Sequence, residues 1–359
     1  MKKQNRFYFG LVALTLAVSI WSAPSLADPY YEGKTLSVFA GTRPGGGADT
    51  NFRIIRPFLK KYIPGHPEIV IKHIPGGGGQ KVWNFVYEKA KPDGLSIVFS
   101  AWNPVGRVTG SRGLRADYTK MKFVAGQALP RMSYIRTDAK TGIKSRNELM
   151  SVKNLILGGN RPNSVLDLSI RTSLELLGLN DYTYVPGLNP AKAYAAMRSG
   201  EVNLTTAGVN FYRARVVNTM VKSGEATALF YYPLVRTDGS LKTLSYIKEM
   251  PSFDDFYMKV KGKKPSGLAY DALKWMNMVT GNMLYTSFAP PGTPDKPINA
   301  LRAGFKKAAA DPEFTKQSIK IIGIPPEFVA IKEGEAIVRN VDKIDPKIKK
   351  YFSKMVKLK

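Results

Sequence analysis

In this sequence of 359 residues, the groups best spaced to act together are main-chain N–H groups in two glycine turns. The first turn lies in Phe39-Ala40-Gly41-Thr42-Arg43-Pro44-Gly45-Gly46-Gly47-Ala48-Asp49-Thr50. The second lies in His73-Ile74-Pro75-Gly76-Gly77-Gly78-Gly79-Gln80. Each follows a short apolar run and precedes a helical pattern. Glycine lets the backbone take positive φ and come close to a ligand. The first N–H groups of a helix have no intrahelical acceptor and carry the positive end of the helix dipole. Together these features make a main-chain site for an anion.

Side-chain chemistry is sparsely supplied. There are two histidines, His66 and His73, and no cysteine. That composition argues against a zinc site, since neither paired histidines nor thiolates are present. A His-based triad would have to use one of the two, and no Gly-x-Ser-x-Gly elbow supplies the serine. His66 sits in a turn, and His73 reads as a ring hydrogen-bonded at a strand end. A P-loop needs Lys-Ser/Thr after its second glycine. From Gly41 the spacing reaches Gly46, but Gly47 stands where the lysine is required. The two turns therefore suit a small anion better than a nucleotide, and no cofactor or metal is expected.

Side chains near the turns admit two roles each. Arg43 can pair with a carboxylate in bidentate fashion or lean into solvent. Asp49 suits the start of a helix and reads as structural. Trp102, in the loop after the third strand, can cover a ligand or pack in an interface. Asn160 and Ser164 can donate to a ligand or serve as a turn and a helix cap.

The elements that position these residues follow from periodicity. Thr35 to Phe39 reads as a strand, followed by a helix with Phe52, Ile55, Leu59 and Tyr62 on one face; Pro57 should kink or shorten it. Ile69 to Ile71, the second turn and Val82, Phe85, Val86 and Ala90 repeat the unit. A third strand, Leu95 to Ser100, follows the turn Lys91-Pro92-Asp93-Gly94. The order βαβαβ predicts a parallel sheet with both turns at the carboxyl edge of its strands. From Met121 a second lobe is expected. In it, strand–turn–helix recurs at Leu155 to Asn160 with Ser164 as cap, and Val202 to Gly208 is a strand with a glycine exit. A helix is expected over 268–283, a strand over 285–289 and a helix over 298–310. Residues 251–265 lack clean periodicity, and the basic tail 343–359 is expected to pack weakly.

The N-terminus carries Lys2, Lys3 and Arg6, an apolar run from Phe7 to Ile20 and Ser25-Leu26-Ala27. This reads as a signal peptide over residues 1–27, cleaved after Ala27, hence export. Hydrophobic content of 44% and charged content of 23% are ordinary, but the net charge is +27. Such a surface attracts anions. The basic residues are dispersed, so nucleic-acid binding is not expected.

The ordered set Pro44-Gly45-Gly46-Gly47-Ala48-Asp49, Pro75-Gly76-Gly77-Gly78-Gly79 and Pro92-Asp93-Gly94 resembles the substrate-binding proteins of tripartite tricarboxylate transporters, the Bug family. Looser matches follow at Val185-Pro186-Gly187, Pro190-Ala191, Gly200-Glu201-Val202-Asn203 and Ala289-Pro290-Pro291-Gly292-Thr293-Pro294. The resemblance implies a two-lobed α/β periplasmic binding protein (type 2-like). Each lobe would be a mixed sheet flanked by helices, with a hinge between the lobes. It places the first lobe at 28–120 with a return over 285–359, and the second lobe at 121–284. It also implies a periplasmic, non-enzymatic and monomeric protein that delivers a small organic carboxylate (a di- or tricarboxylate or an aromatic acid) to membrane permease subunits. The ligand residues it implies are Gly45, Gly46, Gly47, Ala48 and Asp49 of the first turn and Gly76, Gly77, Gly78 and Gly79 of the second. Ser100, Ala101 and Trp102 after the third strand would also face the cleft, as would the second-lobe turns at Asn160, Ser164, Pro186, Gly187 and Gly208; Arg43, a candidate from its own chemistry and not from the resemblance, completes the set. The sequence departs from the family at Arg43, where a small residue is usual, at Ala207-Gly208, at Gly187 and in the longer 251–283 stretch. From another class, an exported hydrolase or transferase of a small anion is the alternative, weakened by the lack of a nucleophile–base pair. A third reading is a basic envelope protein that scavenges polyanions.

Overall fold

A computed structural model describes residues 29–138 and 140–357 of the chain; the expected signal peptide lies outside the described residues. Among them, two mixed sheets carry the fold. The first has six strands in the order β13-β4-β12-β3-β1-β2, and the second has five in the order β7-β6-β8-β5-β9. The strands of the first are β1 (Thr35–Ala40), β2 (Glu68–His73), β3 (Ser96–Ala101), β4 (Lys122–Ala128), β12 (Tyr285–Ala289) and β13 (Glu327–Phe328). Those of the second are β5 (Arg131–Arg136), β6 (Ile156–Gly158), β7 (Thr183–Val185), β8 (Leu204–Gly208) and β9 (Ala226–Tyr231). A small hairpin pairs β10 (Leu234–Val235) with β11 (Leu241–Lys242).

β1 pairs in parallel with both β2 and β3. β12 enters antiparallel between β3 and β4, which mixes the sheet. In the second sheet β6 is parallel to β7 and β8, while β5 runs antiparallel to β8 and β9. β4, expected beyond a boundary at 121, pairs in the first sheet, so the chain crosses between sheets at Leu129-Pro130. Its residues are buried on both faces, and such a run reads the same in either sheet.

Helices flank both sheets. α1 (Gly47–Tyr62) runs through Pro57 without stopping. Phe52, Ile55, Phe58 and Leu59 are buried on both sides of the proline, and this packing holds the helix where one backbone hydrogen bond is lost. α2 (Gln80–Glu88) and the short α3 (Pro104–Val108) complete the first βα units. α4 (Val165–Leu177) and α5 (Pro190–Ser199) serve the second sheet and end at Gly178 and Gly200. α6 (Val209–Phe211) runs on as a π-helix over Tyr212–Val221. α7 (Phe253–Lys261), capped by Ser252, forms where no period was evident, because only Phe253, Phe256 and Tyr257 of it are buried. α8 (Leu268–Gly281) leads back to β12. α9 (Asp295–Ala309), α10 (Pro312–Ile322) and α11 (Ile331–Asn340) follow.

The tail differs from the expectation of weak packing. Residues Pro346–Val356 form α12, anchored on α8 by Phe352, whose ring centroid lies 5.7 Å from that of Trp275. Phe352 is fully buried and Ile348 nearly so. The lysines that dominate its composition lie on the outer face and hide a two-residue apolar seam.

Candidate functional site

The pairing of β1 with β2 and β3 sets the site. Ala40 is level with His73, and Phe39 is level with Val98, so the loops that follow the three strands leave the sheet at one edge. Both glycine turns therefore lie side by side, as the βαβαβ reading expected.

In the first turn only Gly45 has positive φ, +76°. Gly46 and Gly47 are required for space instead. A Cβ on Gly46 would press on the Thr42 side chain, and one on Gly47 would overlap the Tyr285 hydroxyl. α1 begins at Gly47, so the N–H groups of Gly47 and Ala48 belong to the unpaired first turn of a helix. Asp49 is wholly buried beneath them. Its Oδ2 accepts from Gly45 N at 2.8 Å and from Arg53 Nε at 2.8 Å. Burial alone would raise the carboxyl pKa, but the Arg53 bond, the Gly45 N–H and the charges of Arg53 and His73 outweigh it and hold it below the usual value. His73 ties the two turns together. Its Nδ1 hydrogen-bonds Thr42 O at 2.9 Å, and its Nε2 lies 3.3 Å from Asp49 Oδ1. Asp49 thus shapes the turn from below, in keeping with its structural reading. Arg43 is exposed at the rim.

The second turn is built differently. Gly76, Gly77, Gly78 and Gly79 all have positive φ, between +56° and +127°. Four such residues in succession are sterically open only to glycine. A single 3₁₀ turn closes it, with Gly79 N donating to Gly76 O at 3.0 Å, and α2 starts at Gln80. Ser100, at the end of β3, is buried between the turns: its Oγ would meet a Cβ built on Gly41, and lies 3.7 Å from one built on Gly79. Ala101 O accepts from Trp83 Nε1 at 2.9 Å. Trp102 follows the packing alternative: it is 3% exposed, sits edge-on to Tyr118, and donates from Nε1 to Val279 O at 3.1 Å. An indole this deep belongs to the hydrophobic core.

The second sheet supplies the facing bank. β6 and β8 end, and β5 begins, at one edge, which bears Gly158, Gly159, Asn160, Thr205, Thr206 and Gly208. Asp167, nearly fully buried on α4, organises the loop after β6. It accepts from Asn160 N at 3.0 Å, Arg161 N at 3.1 Å and the Tyr184 hydroxyl at 2.5 Å. Burial pushes its carboxyl pKa up despite these bonds. Ser164 caps α4, accepting from Leu166 N at 3.2 Å. Gly187 N donates to Asn160 O at 3.0 Å, so the exposed Pro186-Gly187 turn is tied to the same loop. Gly208 pairs with Arg131, whose side chain is 2% exposed. The Arg131 guanidinium donates to Thr280 Oγ1 at 2.7 Å and Asn277 Oδ1 at 2.5 Å, at the negative end of α8. Burial pushes its pKa down to about 10.

The two banks touch through Arg161. Its Nη1 donates to Gly77 O at 3.1 Å and its Nη2 to Gly78 O at 3.0 Å. A cavity of about 10 Å³ lies among Gly159, Asn160, Asp167, Thr205 and Thr206, room for roughly one water. A groove of about 440 Å³ runs outside the first turn, along Pro44, Gly45, Asp49, Arg53, Gln317 and Ile321. Arg161, Asp167, Tyr184 and Tyr285 were not singled out from the sequence. Among them only Arg161 carried a signal, a basic residue directly after the Gly-Gly-Asn turn.

The arrangement defines the class by fold: two mixed α/β sheets facing each other across a loop-lined edge are the architecture of periplasmic binding proteins. The solved structures it resembles include the periplasmic binding protein BugD, with a TM-score of 0.63 at 17% identity over 90% of this chain and 98% of that one. MatC from Rhodopseudomonas palustris with bound malate gives 0.62 at 17% identity over 90% and 99%. An R. palustris protein solved with adipate gives 0.63 at 16% over 90% and 97%. No family model matches the sequence, and no curated protein matches it. The likeness to the tripartite tricarboxylate transporter type of substrate-binding protein is therefore one of fold, over nearly the whole chain.

Proposed function

We propose that this protein is an exported, two-lobed solute-binding protein that captures a small organic carboxylate between its sheets and passes it to the permease of a tripartite tricarboxylate-type transporter. The observation that supports this most directly is the convergence of the two glycine turns beside Ser100 at one sheet edge, opposite the turns of the second sheet. One carboxylate oxygen would accept from N–H groups of Gly47 and Ala48, the other from the second turn. Hydrogen bonds to a charged acceptor contribute roughly 1.5–3 kcal/mol each, and the start of α1 adds its dipole. Asn160, Gly187 and Gly208 would meet the rest of the ligand. Arg43 would draw anions toward the rim, and Ser164 and Asp49 would act as supports. The proposal includes no bond-making step, cofactor or metal. Among the described residues no cluster of three or more His, Asp or Glu is placed to hold a metal ion.

Thermal-shift screening of the mature protein against malate, adipate, tricarboxylates and aromatic acids tests this reading. A ligand that binds only the folded state raises the melting temperature with concentration. An upward shift with one or more of these acids is expected. If all leave the melting point unmoved while polyphosphate or heparin shifts it in a salt-sensitive way, the protein is a polyanion scavenger instead.

A further inference from the structure

Among the described residues, Arg161 is the one whose side chain hydrogen-bonds from the loops of the second sheet onto the second glycine turn. Its main chain is held rigidly: Arg161 N donates to Asp167 Oδ2 at 3.1 Å, and Arg161 O accepts from Ser164 N at 2.9 Å. Both oxygens of Asp167 are engaged by Asn160 N, Arg161 N and Tyr184, so this carboxylate fixes the loop and acts on the guanidinium only through its field, without a direct ion pair. No other carboxylate among the described residues forms an ion pair with it. Two donors of the guanidinium rest on the carbonyls of Gly77 and Gly78. Its Nε is buried and has no acceptor. Burial pushes the pKa of the group down. A Cβ on Gly78 would overlap the guanidinium, so the glycine run makes room for the arginine as well as for its own left-handed backbone.

A guanidinium that is charged, partly desolvated and short of acceptors attracts a carboxylate strongly, because its fork matches both oxygens. The carboxylate placed on the glycine turns by the proposed function would lie within its reach. We infer that Arg161 determines specificity at this site: it pairs, from the second bank, with the carboxylate that the glycine turns hold from the first. The ligand's anionic end would then join the two sheets, and closure would depend on its charge. Neutral analogues such as amides or esters would be rejected. This inference rests on the proposed function.

The test is calorimetric titration of wild type, Arg161→Gln and Arg161→Lys with malate, adipate and the panel acid that shifts wild type most, and with the neutral amide of each. Wild type should bind the acid and reject the amide. Arg161→Gln should bind about 30-fold more weakly and lose the discrimination against the neutral amide of the same acid, because the charge pair is gone. Arg161→Lys should lose about tenfold and keep the discrimination against the amide, because the charge stays and the fork is lost. Arg161→Gln binding within threefold of wild type would overturn the inference. So would weakened binding that still rejects the neutral amide as wild type does, which would mark Arg161 as a tie between the sheets. If Arg161→Gln folds poorly, Arg161→Lys decides, and wild-type affinity in it counts against the inference. If wild type binds no acid in the panel, the proposed function itself fails and this inference with it; if wild type binds and the variants match it, only the role of Arg161 fails.

Discussion

At the scale of single residues, the two turns use glycine for different reasons. Gly76 to Gly79 need it for backbone conformation, whereas Gly46 and Gly47 need it for room beneath Thr42 and Tyr285. Gly78→Ala should therefore be destabilised by at least about 1–2 kcal/mol from left-handed strain alone, plus the cost of displacing Arg161, as urea unfolding would show. Asp49 offers a pH test. Its folded pKa is lowered by its bonds to Arg53 and Gly45, so its stabilisation is present above the unfolded value, near 3.9, and is lost as pH falls through the folded value. Asp49→Asn should cost roughly 1–3 kcal/mol near neutrality, and its deficit against wild type should shrink below about pH 4. A constant deficit down to pH 2 would show that the charge is unimportant there. The glycine runs and the suitability of Asp49 for a helix start were legible in the sequence. His73 as its partner was not, because only the fold brings the end of β2 beside the start of α1; Arg53, four residues on in the same helix, is a partner that local spacing encodes.

At the scale of elements, strands and capped helices were readable wherever a strong signal bounded them. Ser164 caps α4, Gly200 ends α5, and the strand over 285–289 stands where it was expected. Helices with narrow buried seams escaped notice, α12 above all. It should contribute to stability through Phe352 and Ile348 rather than fray. Phe352→Ala should cost about 3–5 kcal/mol by guanidinium unfolding, whereas exchanging Lys349 for Ala should stay within about 0.5 kcal/mol. Equal, small effects of both would restore the picture of a loose tail. α1 is not shortened at its proline: the packing around Phe52, Ile55, Phe58 and Leu59 carries the helix on to Tyr62.

At the scale of the whole molecule, binding between two sheets joined by few crossings predicts domain closure. Small-angle scattering should show a smaller radius of gyration with saturating ligand, and an unchanged radius would argue that capture needs no approach of the sheets. The net charge of +27 adds a rate effect: anion association should slow as salt screens the field, as stopped-flow measurements at rising ionic strength would test. The local code of turns, caps and hydrophobic period was enough to place two glycine turns in tandem βα units, because glycine spacing and strand order act over a few tens of residues. Only the tertiary structure decided that β4 joins the first sheet, that Trp102 sinks into the core, and that Arg161 crosses to Gly77 and Gly78. Those outcomes depend on which buried surfaces meet across more than eighty residues of sequence, and no local pattern encodes that contact.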